Sequence, residues 1–449
     1  MSADSPLDPR VFAPLNRTQR EMLRRQDLLG SQIYVIGNVT WIDGPLRADL
    51  LQRAVRDWID AEPLLRAAVQ KDADGARWVV LPELEAQMPV QDETDASGAA
   101  AQGERRVREA VARIRAEGID PYRAPLWRFA LLDLGGEHRA WITYFHHLLI
   151  DGFGIQLLWQ RVRARYNRLL GGGPGEPIGP VPAFDRLARE ELETRPDPRR
   201  LERDRQFWES RFAPPPRRRF PRLPAAIREF LPNLIERRWV ISRSQWSALE
   251  SLAMRRRVWP GQAIMALLVL HFSRLTGQRD IVAAIPLHNR IQEADQRTLG
   301  VYVSALPLRL EIEPQGSFVQ AAQAFAREFR LAVGHRQYPV ADLLGQQPSR
   351  AGIAGMPYDL MLSLERFDYG GSFGPARARV DAFSGHPALS PVAAYVRAHL
   401  PDAAVPIDFV VDPRASPALT GDEAFGPLLD ELLASILMDD SRNANAPGR

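Results

Sequence analysis

Between residues 171 and 180 the chain reads Gly-Gly-Gly-Pro-Gly-Glu-Pro-Ile-Gly-Pro. Gly and Pro at that density sustain neither a helix nor a central strand, so this segment must be a connection. At 449 residues the chain is too long for one compact core, and the connection divides it into two lobes. The expected division is residues 1–175 for a first lobe and 176–440 for a second, with a polar, disordered tail over 441–449. A further loop is expected from Ala213 to Pro224, and no solenoid-type repeat is present.

Hydrophobic periodicity predicts the elements. Helices are expected near Arg17 to Leu28, over Arg47 to Glu62 (Leu50, Leu51, Val55 and Trp58 on one face) and over Gly103 to Glu117. Strands are expected at Ser31 to Trp41 and Arg77 to Leu81, with a mobile loop from Asp92 to Gln102. Leu126 to Leu134 and Arg139 to His146 are β-type runs joined by Gly135-Gly136-Glu137-His138, which signals a hairpin. Leu148 to Gly154 turns the chain, and Ile155 to Leu169 resumes a helical period. In the second lobe, helices are expected at Gln245 to Arg256, Gln262 to Thr276, Phe318 to Val333 and Ala424 to Leu437. Strands are expected at Asp280 to Ile285, Val301 to Ile312 and Asp359 to Leu364. This mixed order argues for an α/β fold in α+β-type layers.

Composition removes whole classes of chemistry. There is no Cys, so disulfides, thiolate metal sites and a Cys nucleophile are excluded. Nor does any His/carboxylate cluster show metal-ligand spacing, so no metal is expected. The N-terminus lacks a secretory pattern, and no apolar run approaches the roughly 20 residues of a membrane helix. A cytoplasmic protein without membrane partners is the expectation. Net charge is +3 and Lys71 is the only lysine. The sharpest basic run, Arg217-Arg218-Arg219 with Arg222, reads first as a solvated loop and second as a contact for a phosphate-bearing substrate or acidic partner. Nucleic acid is not an expected partner, since neither zinc-finger spacing nor an aromatic-interleaved basic stripe appears.

The chemistry concentrates in His146-His147-Leu148-Leu149-Ile150-Asp151-Gly152, on a strand–loop–helix corner. Successive side chains on a strand face opposite sides, so one His faces packing and the other a cleft. A neutral imidazole suits general base catalysis near neutral pH, taking a proton from an amine or hydroxyl that attacks an acyl carbonyl. Asp151 is either an orienter of His147 or a buried anion paired with an Arg, and the second is preferred. Gly152 permits close backbone approach, and its N–H near the helix start suits an oxyanion. A packed, hydrogen-bonded His pair without catalysis is the plain alternative.

His146-His147-Leu148-Leu149-Ile150-Asp151-Gly152 resembles the HHxxxDG signature of the chloramphenicol-acetyltransferase-like superfamily. Four further stretches resemble motifs of nonribosomal peptide synthetase condensation domains: Pro14 to Arg20, Glu62-Pro63-Leu64-Leu65-Arg66, Gly300 to Pro307, and Arg336-Gln337-Tyr338-Pro339. The order and spacing agree from about Phe12 to Leu437. The resemblance implies two acetyltransferase-like lobes in a V with the active site in a central tunnel. It implies that His147 is the catalytic His and His146 its inward-packing neighbour. Asp151 would pair with Arg290, in the second lobe, and Gly152 would border the reacting carbonyl. Ser304, Tyr302 and Gly154 would contact substrate. No bound cofactor is implied. The substrates would be acyl-CoA or phosphopantetheine-linked thioesters.

The departures bear on subtype. Ala61 stands where a His usually precedes Glu62, Gly154 where Ser is frequent, and Ser304 where Asn is common. The opening motif lies within the first score of residues, which points to a starter condensation domain that joins a fatty acyl group to a carrier-bound amino acid. Expected partners are a peptidyl or aminoacyl carrier domain, acyl-CoA or an acyl carrier protein, and a downstream adenylation domain; the chain is expected to be a monomer. The alternatives are a free-standing enzyme making an ester or amide on another acceptor, and a non-catalytic recruitment module. The motifs between Gly300 and Pro339 argue against the first in its ester-forming version. Intact His147, Asp151 and Gly152 argue against the second.

Overall fold

A computed structural model describes residues 11–29, 34–73, 75–85, 88–93, 100–171, 178, 181–193, 197–214, 216, 234–339, 358–384, 390, 392–398, 404–413 and 417–445. In chain order the elements begin with β1 (Val11–Pro14), α1 (Arg17–Leu29), β2 (Val35–Asp43), α2 (Ala48–Ala61), β3 (Ala67–Asp72), β4 (Gly75–Val80), β5 (Val90–Asp92) and α3 (Ala100–Glu117). They continue with β6 (Trp127–Asp133), β7 (His138–His146), α4 (Gly152–Leu170), α5 (Arg186–Glu193), α6 (Pro198–Arg211), β8 (Ile235–Ile241), α7 (Arg243–Arg255), α8 (Pro260–Thr276) and β9 (Asp280–His288). The last are β10 (Val303–Glu311), α9 (Phe318–Gly334), β11 (Leu360–Glu365), β12 (Ser372–Phe373), β13 (Ala376–Ser384), β14 (Val392–Arg397), β15 (Val405–Val411) and α10 (Pro427–Asn445).

Two compact units form. The first takes residues 1–195, 289–303 and 367–386, and the second takes 196–288, 304–366 and 387–449. The simple division at residue 175 therefore needs correction. A Gly/Pro-rich stretch breaks local structure, but it does not say with which unit the following residues pack. Here α5 stays with the first unit: Glu191 accepts the Arg17 backbone N–H (2.6 Å), and Arg186 pairs with Asp295. The expected disordered tail is also corrected. Residues 441–445 extend α10, because Ser-Arg-Asn-Ala-Asn contains neither Pro nor Gly to stop it. Residues 446–449, the basic run 217–222 and most of the Gly/Pro connection lie outside the described residues.

The first unit holds a six-stranded sheet, order β12-β13-β2-β7-β6-β5, and a small sheet, β1-β4-β3. The hairpin expected around Gly135-Gly136 is present: β6 and β7 pair antiparallel, and both glycines have positive φ. β7 is central, and Ala140 through His146 are all buried. Both faces of that strand are covered. Ala140 and Ile142 pack with Val107 and Ala110 of α3. On the opposite face Trp141 meets Phe373 edge-on, with ring centroids 6.2 Å apart. On that same face Trp159 of α4 meets Phe373 edge-on and donates its indole N–H to Thr40, which pairs with Trp141 in the ladder (3.1 Å). A central strand covered on both sides reads as a continuous apolar run, as Trp-Ile-Thr-Tyr-Phe does.

The second unit carries a mixed six-stranded sheet, β10-β9-β11-β14-β15-β8, parallel across β9-β11-β14 and antiparallel across β14-β15-β8. Every residue of α8 from Ala263 to Ser273 is buried, so this helix is the unit's core element. Capping boxes at Ser242/Gln245 and Ser317/Gln320 start α7 and α9, and Gly277 ends α8 in the left-handed conformation. His271 on α8 is buried, with Nε2 2.5 Å from the Ala424 carbonyl, and burial pushes its pKa down to about 4. No helix among the described residues is long and apolar enough to cross a membrane.

Candidate active site

The candidate residues sit where β7 ends and α4 begins. Register with β2 places Val35 opposite His146, and the strand stops there. His146 continues the face of Ala140 and Ile142 and is fully buried. Its Nδ1 accepts the Leu148 N–H (3.1 Å) and its carbonyl accepts the Leu149 N–H (2.9 Å). His146 thus shapes the turn. His147 takes the other face, half-buried, with its backbone N–H donated to the Tyr34 carbonyl (2.7 Å). Burial lowers the His147 pKa; the nearby Asp151 charge and backbone hydrogen bonds at His147 and Ile150 oppose the shift. The net direction is downward, so the imidazole is neutral at pH 7 and can accept a proton.

Leu148, Leu149 and Ile150 are fully buried and anchor the turn. Asp151 then caps α4: its Oδ1 accepts the Gly154 N–H (2.8 Å). The same oxygen accepts from Nη2 of Arg290 (2.9 Å), and Oδ2 accepts the Tyr302 N–H (2.9 Å). The Asp151 backbone N–H goes to the Gly300 carbonyl (3.1 Å). Arg290 is equally engaged. Nη1 donates to the carbonyls of Asp295 (2.5 Å) and Thr298 (2.7 Å), and Nη2 also donates to that of Gly300 (3.3 Å). The guanidinium lies between the rings of Phe153 (4.6 Å) and Tyr302 (4.2 Å).

Both Asp151 oxygens are thus taken up, Oδ1 by Arg290 and the Gly154 N–H and Oδ2 by the Tyr302 N–H. The expected partner of Asp151 needs correcting in one respect. Arg290 belongs to segment 289–303, which is part of the first unit, so the pair is internal to that unit. Two further candidate residues are buried. Tyr302 was expected to contact substrate, yet it is 2% exposed and spends its ring on Arg290 and its N–H on Asp151. Gly154, expected likewise, is buried with its N–H committed to Asp151. A Cβ there would come within 2.5 Å of Ile150 Cγ1, which is why a side chain has no room. Ser304 lies on β10 in the second unit, half-buried.

Gly152 opens α4, and a Cβ on it would meet the Phe367 ring at 2.5 Å. The ring occupies the space that any larger residue would need. Phe367 begins a strap tied to α4: Gln156 accepts the Asp368 N–H (2.9 Å) and Gln160 donates to the Asp368 carbonyl (2.9 Å). Sequence reasoning missed Phe367, and no local signal marks it. It also missed the roles of Asn16 and Gln19. Asn16 donates to the Val301 carbonyl (2.7 Å) and Gln19 to the Leu148 carbonyl (3.0 Å), bracing both sides of the Asp151 clasp. Their mutual bonds form an N-terminal capping pair (Gln19 N–H to Asn16 Oδ1, 2.9 Å), and that three-residue spacing was a readable signal.

Among known proteins, the chain is 27% identical over 362 residues to the dimodular nonribosomal peptide synthase of Bacillus subtilis (strain 168), covering 79% of this chain and 15% of that protein. It is 27% identical over 322 residues to the isonitrile lipopeptide synthase of Streptomyces coeruleorubidus, covering 69% of this chain and 20% of that protein. The chain thus spans only a fraction of the length of these curated relatives. Its fold is shared with the first condensation domain of the CDA synthetase at TM-score 0.77 and 22% identity, over 94% of this chain and 97% of that one. It is also shared with a variant of the starter condensation domain of rhizomide synthetase RzmA in complex with C8-CoA, at TM-score 0.76 and 23% identity, over 95% and 94%. The mixed α/β fold expected from the sequence is thus the fold of these condensation-domain structures. The family model of the condensation domain matches residues 10–365, which include every residue of the His147–Arg290 cluster, and the chain belongs to the condensation-domain family.

Proposed function

We propose that this chain is an amide-forming acyltransferase of nonribosomal peptide biosynthesis, joining a fatty acyl group from a CoA or carrier thioester to a carrier-bound amino acid. The observation that carries the reading is the division of labour at the β7–α4 turn. Asp151 is consumed by Arg290 and two backbone N–H groups, so it is not available to orient an imidazole as a triad acid. His147, half-buried where His146 is fully buried, is left as the candidate proton acceptor of the turn, with its pKa lowered by burial.

In this reading His147 takes a proton from the α-amine, or positions it, as the nitrogen attacks the thioester carbonyl. The C–N bond forms, the carbonyl oxygen becomes an oxyanion, and the Gly152 N–H at the start of α4 favours that charge. Collapse breaks the C–S bond, and the thiolate leaves with the proton that His147 holds. The fatty donor is supported by the printed names of similar proteins, a lipopeptide synthase and a starter condensation domain with C8-CoA. Carrier and adenylation domains are the partners this chemistry requires.

Mass spectrometry of an amino-acid-loaded carrier protein, incubated with this chain and acyl-CoAs of graded length, tests the reading. The expected product is an acyl-aminoacyl carrier. His147→Ala should lower turnover by about 10²–10⁴-fold with the melting temperature unchanged. No adduct from any acyl-CoA or acyl-carrier donor refutes the acyl-transfer reading. Full turnover by His147→Ala refutes the role of His147.

A further inference from the structure

The stretch Glu62-Pro63-Leu64-Leu65-Arg66 has no part in the chemistry above, yet it contains the first unit's most deeply buried glutamate among the described residues. Glu62 closes α2 and is 1% exposed. Its Oε2 accepts from Nη1 of Arg161 (3.1 Å). Its Oε1 is buried and has no hydrogen-bond partner among the described residues. Arg66, from the same stretch, directs its guanidinium to the carbonyls of Ile59, Asp60 and Leu81.

Arg161 rises from α4, a little under three turns beyond Asp151. Its guanidinium lies over the Trp58 ring (4.9 Å), and Nη2 donates to the Arg297 carbonyl. That carbonyl belongs to the same short stretch that Arg290 holds through Asp295, Thr298 and Gly300. Two arginines therefore grip one stretch of backbone. Arg290 connects it to Asp151, and Arg161 connects it to Glu62. Arg290 and Arg161 also repel each other, which adds to the need for an anion on each side.

We propose that Glu62 and Arg161 form a positioning pair for the acyl-transfer reaction: through the Arg297 carbonyl they hold segment 295–302 in place, and thereby the Asp151–Arg290 clasp and the His147 turn. The proposal rests on the acyl-transfer reading given above. Glu62 touches no reacting atom in this scheme. It keeps Arg161 aimed at Arg297, and a loosened segment 295–302 releases the Tyr302 N–H from Asp151.

Steady-state kinetics and hydrogen exchange on the full chain separate this from a merely stabilising role. Glu62→Gln keeps the shape and, at pH 8 where the wild-type carboxyl is ionised, removes the charge. It should lower kcat about tenfold with KM within about twofold, because a small displacement of the catalytic geometry costs rate rather than binding. Amides 298–302 should exchange at least about fivefold faster, while those of α8 stay unchanged. Arg161→Met should behave alike, and Arg161→Lys should recover part of the loss. Unchanged exchange in both Glu62→Gln and Arg161→Met overturns the proposal, whether or not wild type is active. Faster exchange with an unchanged kcat overturns it too. Wild type without product refutes the acyl-transfer reading instead, and exchange alone then decides whether the pair holds the segment.

Discussion

Two buried carboxylates flank α4, and both face an arginine, yet they are built differently. Asp151 has both oxygens satisfied: Arg290 and the Gly154 N–H on Oδ1, the Tyr302 N–H on Oδ2. Glu62 has Arg161 on one oxygen and, among the described residues, no hydrogen bond on the other. Burial accordingly dominates at Glu62 and pushes its pKa up to about 7 against the pull of Arg161 and Arg66. An arginine alone does not make a buried carboxylate a rivet. Filling the remaining lone pairs does.

The largest test of that contrast is Asp151→Ala. It strips a buried Arg290 of its anion and α4 of its cap, and should cost about 3–5 kcal/mol in urea unfolding. A loss no greater than that of Glu62→Gln would erase the distinction between the two sites.

The second test is pH. A folded-state pKa near 7 lies above the ordinary glutamate value of 4.5, so the folded chain holds the proton more tightly. The resulting stabilisation is complete below pH 4.5 and is lost as pH rises through 7, by up to about 3 kcal/mol. The stability of wild type minus that of Glu62→Gln should fall across this window. A flat difference would mean that Glu62 titrates normally. Taking the difference also removes His271, whose lowered pKa acts in the opposite sense, losing stability as pH falls from 6.5 toward 4.

The smallest effect is expected from Arg161→Lys. It keeps the charge near Glu62 but cannot reach Glu62 and the Arg297 carbonyl together, and should cost about 1 kcal/mol in the same unfolding assay. A loss as large as that of Asp151→Ala would place the two clasps on equal footing.

The β7–α4 corner was legible because its signals are local. Gly135-Gly136 marks the hairpin, Trp141 to Phe145 the strand, and Ile155 to Leu169 the helical period. Strand alternation assigned the two histidines to opposite faces, and the structure places His146 inward. The Asp151–Arg290 pair came from motif resemblance, since nothing local links residues so far apart. Phe367, Arg161 and the strap at 367–373 were invisible for that reason. So was β13, whose Ala382 pairs with Asn38 of β2. Its alternating Ala-Arg-Ala-Arg-Val-Asp carries too little apolar character to announce a strand without its partner. β14 and β15 were missed although strongly apolar, because short runs of that kind do not reveal by periodicity whether they are strand or helix.

β13 closes the edge of β2 from more than three hundred residues downstream. On a ribosome adding roughly 5–20 residues per second, β2 waits tens of seconds for that neighbour. During this interval an apolar strand, Val-Ile-Gly-Asn-Val-Thr-Trp-Ile, has one side unpaired and open to other chains. The first unit, which carries the candidate chemistry, is thus begun before the second and completed only after most of the second has emerged.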